Sequence, residues 1–149
     1  MKYTQAEMGR IFVLRLEHGD RLPDVIEIFA TDNKILRGMC ILVGGIDDGS
    51  RIVSGPENGK EIPPRPVLKD ILGVHEVLGV GTIFPDAKGH PRLHMHASLG
   101  RKEKSRTGCI RPGVNIWQIG EVVILEIRNE RLFRKKNKTL GFELLEIEE

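Results

Sequence analysis

Pro91-Arg92-Leu93-His94-Met95-His96-Ala97-Ser98-Leu99-Gly100 alternates apolar and polar side chains with a period of two. In a strand successive side chains point to opposite faces, so Leu93, Met95, Ala97 and Leu99 share one face and His94, His96 and Ser98 the other. The stretch reads as a strand with one apolar side and one histidine-bearing side. Residues two apart on a face lie roughly 7 Å apart at Cα, which lets two imidazoles converge on one ion at bond lengths of about 2.0–2.1 Å. Two histidines on a strand face are equally compatible with plain solvation, and the pattern alone leaves both readings open.

Downstream, the loop Gly100 to Arg106 leads to a short candidate strand, Thr107-Gly108-Cys109-Ile110. If 92–99 and 106–110 pair as a hairpin, directly opposed residues share a face, and a register that sets Cys109 against His96 completes a His₂Cys set. A register slipped by one residue puts the thiol on the core face beside Ala97, as a buried structural cysteine. Upstream, Glu76 lies within Val74-His75-Glu76-Val77-Leu78-Gly79-Val80, on the face of Val74, Leu78 and Val80. A carboxylate there reaches water, pairs with a cation or serves a site, and the roles of fourth ligand, ligand-orienting partner and general acid or base are all open to it. His75 points the other way. His18 and His90 sit in loop contexts, and Cys40 lies in the apolar run Met39-Cys40-Ile41-Leu42-Val43, a core position. Gly79-Val80-Gly81 is no dinucleotide motif, because Thr82-Ile83-Phe84-Pro85 continues extended and opens no helix.

Around this centre the period of two recurs. Ile11 to Leu14, Gly38 to Ile46, Arg51 to Val53, Val67 to Leu72, Val74 to Ile83, Trp117 to Ile127 and Leu140 to Ile147 read as strands, punctuated by Gly19-Asp20, Asp47-Asp48-Gly49 and Glu57-Asn58-Gly59-Lys60. Ile62-Pro63-Pro64-Arg65-Pro66 belongs to a loop or a sheet edge. Only Leu22, Val25, Ile26 and Phe29 follow helical spacing, with Asp20 as a candidate N-cap, Pro23 in the first turn and an end near Asp32-Asn33. The expected architecture is an α+β domain: a mostly antiparallel sheet with one main helix. The basic tract Arg131-Leu132-Phe133-Arg134-Lys135-Lys136-Asn137-Lys138 reads as a solvated hairpin turn, with a nucleic-acid contact as the rarer alternative.

The 149 residues suit one domain, here 1–149 with a core of about 9–147, and a chain of this size buries roughly 70% of its unfolded surface. With 40% apolar and 30% charged residues and a net charge of +2, the composition excludes a disordered chain and lacks the strongly basic footprint of dedicated nucleic-acid binders. No apolar run approaches the ~20 residues of a membrane span, and residues 1–7 carry no secretory signal, so a cytoplasmic location is expected. Two distant cysteines in a reducing compartment are expected to be thiols.

Pro91 to Gly100, followed by Thr107-Gly108-Cys109-Ile110 and Glu121-Val122-Val123-Ile124-Leu125-Glu126, resembles the signature of the plant and prokaryote conserved (PPC) domain. Val77-Leu78-Gly79-Val80-Gly81-Thr82-Ile83 is similar to the strand that precedes that signature, and the likeness runs from about Gly9 to Ile127. It implies a fold shared with acetolactate decarboxylase and a homotrimer. Members often carry Gly-Gly-His-Leu where this chain has Thr107-Gly108-Cys109-Ile110, so by analogy with the decarboxylase Cys109 takes the place of a third ligand histidine. A zinc ion, or another divalent transition metal, on His94, His96 and Cys109 with water in a fourth position is the implied centre. Plant members append an Arg-Gly-Arg-Pro AT-hook, which this chain lacks, so DNA binding is not carried over.

Three functions follow as expectations. The first is a homotrimeric metal-binding domain with a regulatory or small-molecule role. The second is a metal-dependent lyase or hydrolase acting on a small carbonyl substrate, with Glu76 moving the proton, a reading that an arginine beside the metal in a closed pocket would favour. The third is a DNA-associated protein using the tract 131–138.

Overall fold

The period-two segments become strands of the computed structural model, which describes residues 1–148. In chain order they are β1 (Glu7–Glu17), β2 (Arg21–Leu22), α1 (Asp24–Asp32), β3 (Gly38–Ile46), β4 (Arg51–Pro56), β5 (Pro66–Asp70), β6 (His75–Pro85), β7 (Pro91–Arg101), β8 (Lys104–Cys109), β9 (Val114–Arg128), β10 (Leu132–Lys136) and β11 (Glu143–Ile147). The main sheet runs β1-β9-β3-β6-β7-β8-β4-β5, with β2 paired to β9; β10 and β11 form a separate hairpin. Every pairing is antiparallel. The architecture is therefore the mostly antiparallel sheet with one helix that the pattern foretells. The Pro-rich stretch leads into β5, which is the sheet edge, where a missing N–H costs no ladder bond.

One face of the sheet holds the core. Cys40 and Leu42 of β3, Met95, Ala97 and Leu99 of β7, and Val122 and Ile124 of β9 are buried there with Ile26 and Ala30 of α1. Full burial of a side chain such as Ile26 contributes about 1.5–3 kcal/mol. The start of the helix differs from expectation. Pro23 is the N-cap and makes no side-chain capping bond, while Asp20 instead accepts a hydrogen bond from the backbone N–H of Glu17 at 2.9 Å. The cause is β2: Arg21 and Leu22 are committed to pairing with Asn115 and Val114, so the helix cannot begin until they are passed.

Gly81 sets the spacing between β6 and β7. A Cβ at this position would stand 2.6 Å from Cβ of Met95 and 2.8 Å from the carbonyl oxygen of His94. Gly81→Ala is expected to cost about 1–3 kcal/mol by overpacking. A thermal melt should show the midpoint lowered by several degrees, and an unchanged midpoint would mean that the strands separate freely.

At the other end of the sheet Arg10 clamps Glu126. Its Nε and Nη2 donate to the two carboxylate oxygens at 2.9 and 2.7 Å, and its backbone N–H donates to Oε2 at 2.9 Å. The Arg10 guanidinium hydrogen bonds bring the Glu126 carboxyl down from its ordinary 4.5 to about 2. Because the folded value lies below the unfolded one, the stabilisation is complete above about pH 4.5 and disappears as pH falls towards 2. Glu126→Gln should thus be less stable than wild type at pH 7, with the gap narrowing by pH 3 in urea titrations. Arg10 is 47% exposed, so added salt should shrink the gap at pH 7.

Candidate metal centre

Strand β7 projects His94, His96 and Ser98 onto the sheet face opposite the core, because Leu93, Met95, Ala97 and Leu99 take the core side. A tight turn at Lys102 and Glu103 returns the chain as β8, with Lys102 at φ 55°. The register then sets Ser98 against Thr107, Ala97 against Gly108 and His96 against Cys109. That is the register in which the thiol shares the histidine face. Cys109 is buried, yet it lies outside the core cluster that holds its neighbour Ile110. Gly108 makes this placement possible, since a Cβ there would collide with the backbone oxygen of Val53 on β4.

The ligand atoms of His94, His96 and Cys109 all lie within 4.8 Å of one another. The two Nε2 atoms are 3.2 Å apart, with the rings nearly perpendicular at 81°. Two nitrogens bound tetrahedrally at about 2.0–2.1 Å would be separated by roughly 3.3 Å, so the imidazoles already hold the spacing an ion needs. Burial first, then the positive charge of Arg134, then His96 and Arg111, lower the proton affinity of His94 below the usual histidine range. This favours the neutral imidazole, which is the ligating form. The other thiol, Cys40, is pushed up to about 12 by burial and has no place in this chemistry.

Glu76 lies on the same sheet face but is exposed and pairs with Gly100 and Gly45. It stands four residues along β6 from Val80, the partner of His96, roughly 13 Å at the strand rise, and is not among the converging ligands. His75 is buried, its Nδ1 2.9 Å from the carbonyl oxygen of Gly73. His90 pairs with Asp86 in the turn before β7, and His18 accepts from the backbone N–H of Gln118. A cavity of about 490 Å³ lined by Leu72, His75, Arg101 and the β7–β8 turn lies away from the three ligands.

The basic tract belongs to a hairpin, as expected, but forms its first strand and is solvated only in part. Leu132 to Lys136 form β10, with Lys135 and Lys136 exposed but Leu132 and Arg134 buried. Arg134 donates from Nη2 to Oγ1 of Thr82 at 3.2 Å, and its guanidinium lies 5.6 Å from the centre of the Phe84 ring. Thr82 is the cross-strand partner of His94, so β10 carries an arginine to the border of the cluster of His94, His96 and Cys109. Nothing in Leu132-Phe133-Arg134-Lys135-Lys136 alternates apolar with polar in a way that marks Arg134 as buried, and its place follows from the fold of β10 alone.

Fold and site together define an antiparallel sheet domain with two imidazoles and a thiol converging on the face opposite its core. The chain belongs to the Plants and Prokaryotes Conserved (PCC) domain family, whose model matches residues 3–128. Among solved structures it is similar to a plant- and prokaryote-conserved protein of Pyrococcus horikoshii, with 23% identity, TM-score 0.85, and coverage of 100% of this chain and 99% of that one. It is also similar to a metal-containing protein of Archaeoglobus fulgidus, with 24% identity, TM-score 0.82, and coverage of 97% and 98%. A third, from Ralstonia eutropha JMP134 and provisionally described as DNA-binding, has 18% identity, TM-score 0.72, and coverage of 91% and 90%. No protein of curated function matches the sequence significantly. Among the described residues no helix is long and apolar enough to cross a membrane.

Proposed function

We propose that this chain is a cytoplasmic, homotrimeric metal-binding protein that holds one divalent transition ion, zinc in the first instance, on His94, His96 and Cys109. The observation that carries the reading is the convergence of two imidazoles and a thiol from paired strands. Mixed nitrogen and thiolate ligands suit zinc, and three protein ligands leave a fourth position for water or a small molecule. The metal-containing neighbour from Archaeoglobus fulgidus supports it.

Self-association is supported by the open sheet face. Antiparallel pairing lines up Val13 of β1, Val123 of β9, Ile41 of β3, Val80 of β6 and His96 of β7 in one row across five strands. Val13, Ile41, Val43, Leu78 and Val80 are between 37% and 78% exposed. A contiguous apolar face of this kind marks an interaction surface, and a head-to-tail contact between copies that closes on itself makes a ring. The row continues through His96 to Cys109 of β8, Val53 of β4 and Leu68 of β5, so a neighbouring copy seated on its β1–β6 part borders the centre.

A second reading is the metal-dependent lyase or hydrolase, in which the ion polarises a carbonyl or activates water. Arg134 beside the centre favours it. It requires Glu76 to approach the ion by movement or from a neighbouring copy if that carboxylate moves the proton. DNA association would draw on the exposed Lys135 and Lys136. The experiment that tests the main reading is metal analysis of untagged protein together with its mass in solution. About one zinc per subunit and a trimeric mass are expected, and a metal-free protein that takes up no added zinc would sink the proposal.

A further inference from the structure

Arg134 is 7% exposed, and its Nε is the one buried side-chain nitrogen or oxygen without a hydrogen-bond partner among the described residues. Its recorded polar contact is the hydroxyl of Thr82, and no carboxylate of the described residues comes within ion-pair distance. Glu143, Cys109 and Glu27 act on its charge only from further away. A buried guanidinium without a counter-charge is costly, and such a group is retained where something completes it. Arg134 makes its contact on the residue opposite His94, one strand from the metal ligands.

The charges of the assembled centre point the same way. A divalent ion with one thiolate leaves one positive charge, and Arg134 adds a second. Neither histidine compensates, and Arg111 lies near enough to act on His94 as well. No carboxylate belongs to the ligand set.

Resting on the metal-binding reading, we infer that Arg134 and the open position of the His94, His96 and Cys109 centre form one binding site for a small carboxylate. One carboxylate oxygen binds the ion, and the guanidinium, whose Nη1 makes no hydrogen bond and is not closed off as Nε is, takes the other by a charge-assisted hydrogen bond. The ligand class is thus a small organic acid rather than a neutral carbonyl compound. The arginine comes from β10, beyond residues 3–128 of the family match, so the hairpin supplies the selectivity and the sheet supplies the metal.

The test uses the full-length protein loaded with cobalt(II), whose visible bands report the ligands of a His₂Cys centre, and acetate as the probe. Wild type should show saturable changes in those bands as acetate is added. Arg134→Gln should retain the cobalt bands and bind acetate at least about tenfold more weakly, the size expected for losing a hydrogen bond to a charged group. If Arg134→Gln does not fold, Arg134→Lys carries the test, because it keeps the charge without the fork and should weaken acetate several-fold. Equal acetate affinity in wild type and the folded variant overturns the inference, leaving Arg134 as a strut between Thr82 and Phe84. Cobalt bands in wild type that acetate does not perturb overturn it too. Absence of cobalt bands in wild type overturns the metal reading itself, and the inference with it.

Discussion

Replacing His94 and His96 together by alanine is expected to take the metal content of purified protein from about one ion per subunit to none. Two of the three donors vanish, and a single thiol does not hold zinc against buffer and competing chelators. The change should leave the fold intact. Both histidines are exposed and neither belongs to the core cluster, and surface substitutions of that kind cost about 0.5 kcal/mol or less. Metal loss would therefore report on ligation and not on unfolding. Thermal melts add an independent readout. Added zinc should raise the midpoint of wild type, because an ion that binds only the folded state stabilises it by mass action, and should leave the double variant unmoved. Cys109→Ser separates the thiolate from the imidazoles. It should weaken zinc and abolish the sulfur-to-metal absorption of the cobalt form while keeping His94 and His96 in place. Zinc retained at one per subunit in the double variant would place the ion elsewhere and reduce the 3.2 Å contact of the two imidazoles to a hydrogen bond on a solvated strand.

Much of this centre was legible in ten residues. The alternation from Leu93 to Leu99 fixes which side chains face the core, and pairing rules then allow Cys109 only two faces. The structure selects the one opposite His96. What local pattern does not contain is the identity of neighbours. That β9 lies between β1 and β3 is a long-range fact, since a strand's period says which way its side chains point and nothing about which strand lies beside it. Asp20 was misread for a related reason: its capping chemistry is real, but tertiary pairing of Arg21 and Leu22 with β9 moves the helix start past it. Arg134 was concealed by company. Within an eight-residue tract that holds five basic side chains its composition resembles a solvated surface, and only the fold of β10 against Thr82 and Phe84 buries it.

The second large effect concerns the open sheet face. Val80→Asp is expected to convert the proposed homotrimer, three times the 16.8 kDa of the chain, into monomer on sedimentation equilibrium. Val80 sits mid-row between Ile41 and His96 and is 49% exposed in the single chain. An aspartate there can reach water in the monomer and should cost the isolated fold little. In an interface it would be an unpaired charge taken out of water, a penalty of several kcal/mol repeated at each contact of the ring. Stable interfaces bury roughly 800 Å² per partner, and the aliphatic side chains running from β1 to β6 would form the apolar centre of such a surface. Leu78→Asp, at 60% exposure on the same face, should act alike, whereas Ile28→Asp on α1, 62% exposed but on the helix that covers the opposite, core-bearing face of the sheet, should not. The metal centre provides the link between the two large predictions. Because the row runs on from Val80 to His96 and Cys109, dissociation should strip neighbours from the border of the centre without removing its ligands. The Val80→Asp monomer should therefore still bind zinc and exchange it faster. A monomer that loses zinc altogether would mean that a neighbouring copy contributes a ligand, and a Val80→Asp protein that remains trimeric would move the interface to another face.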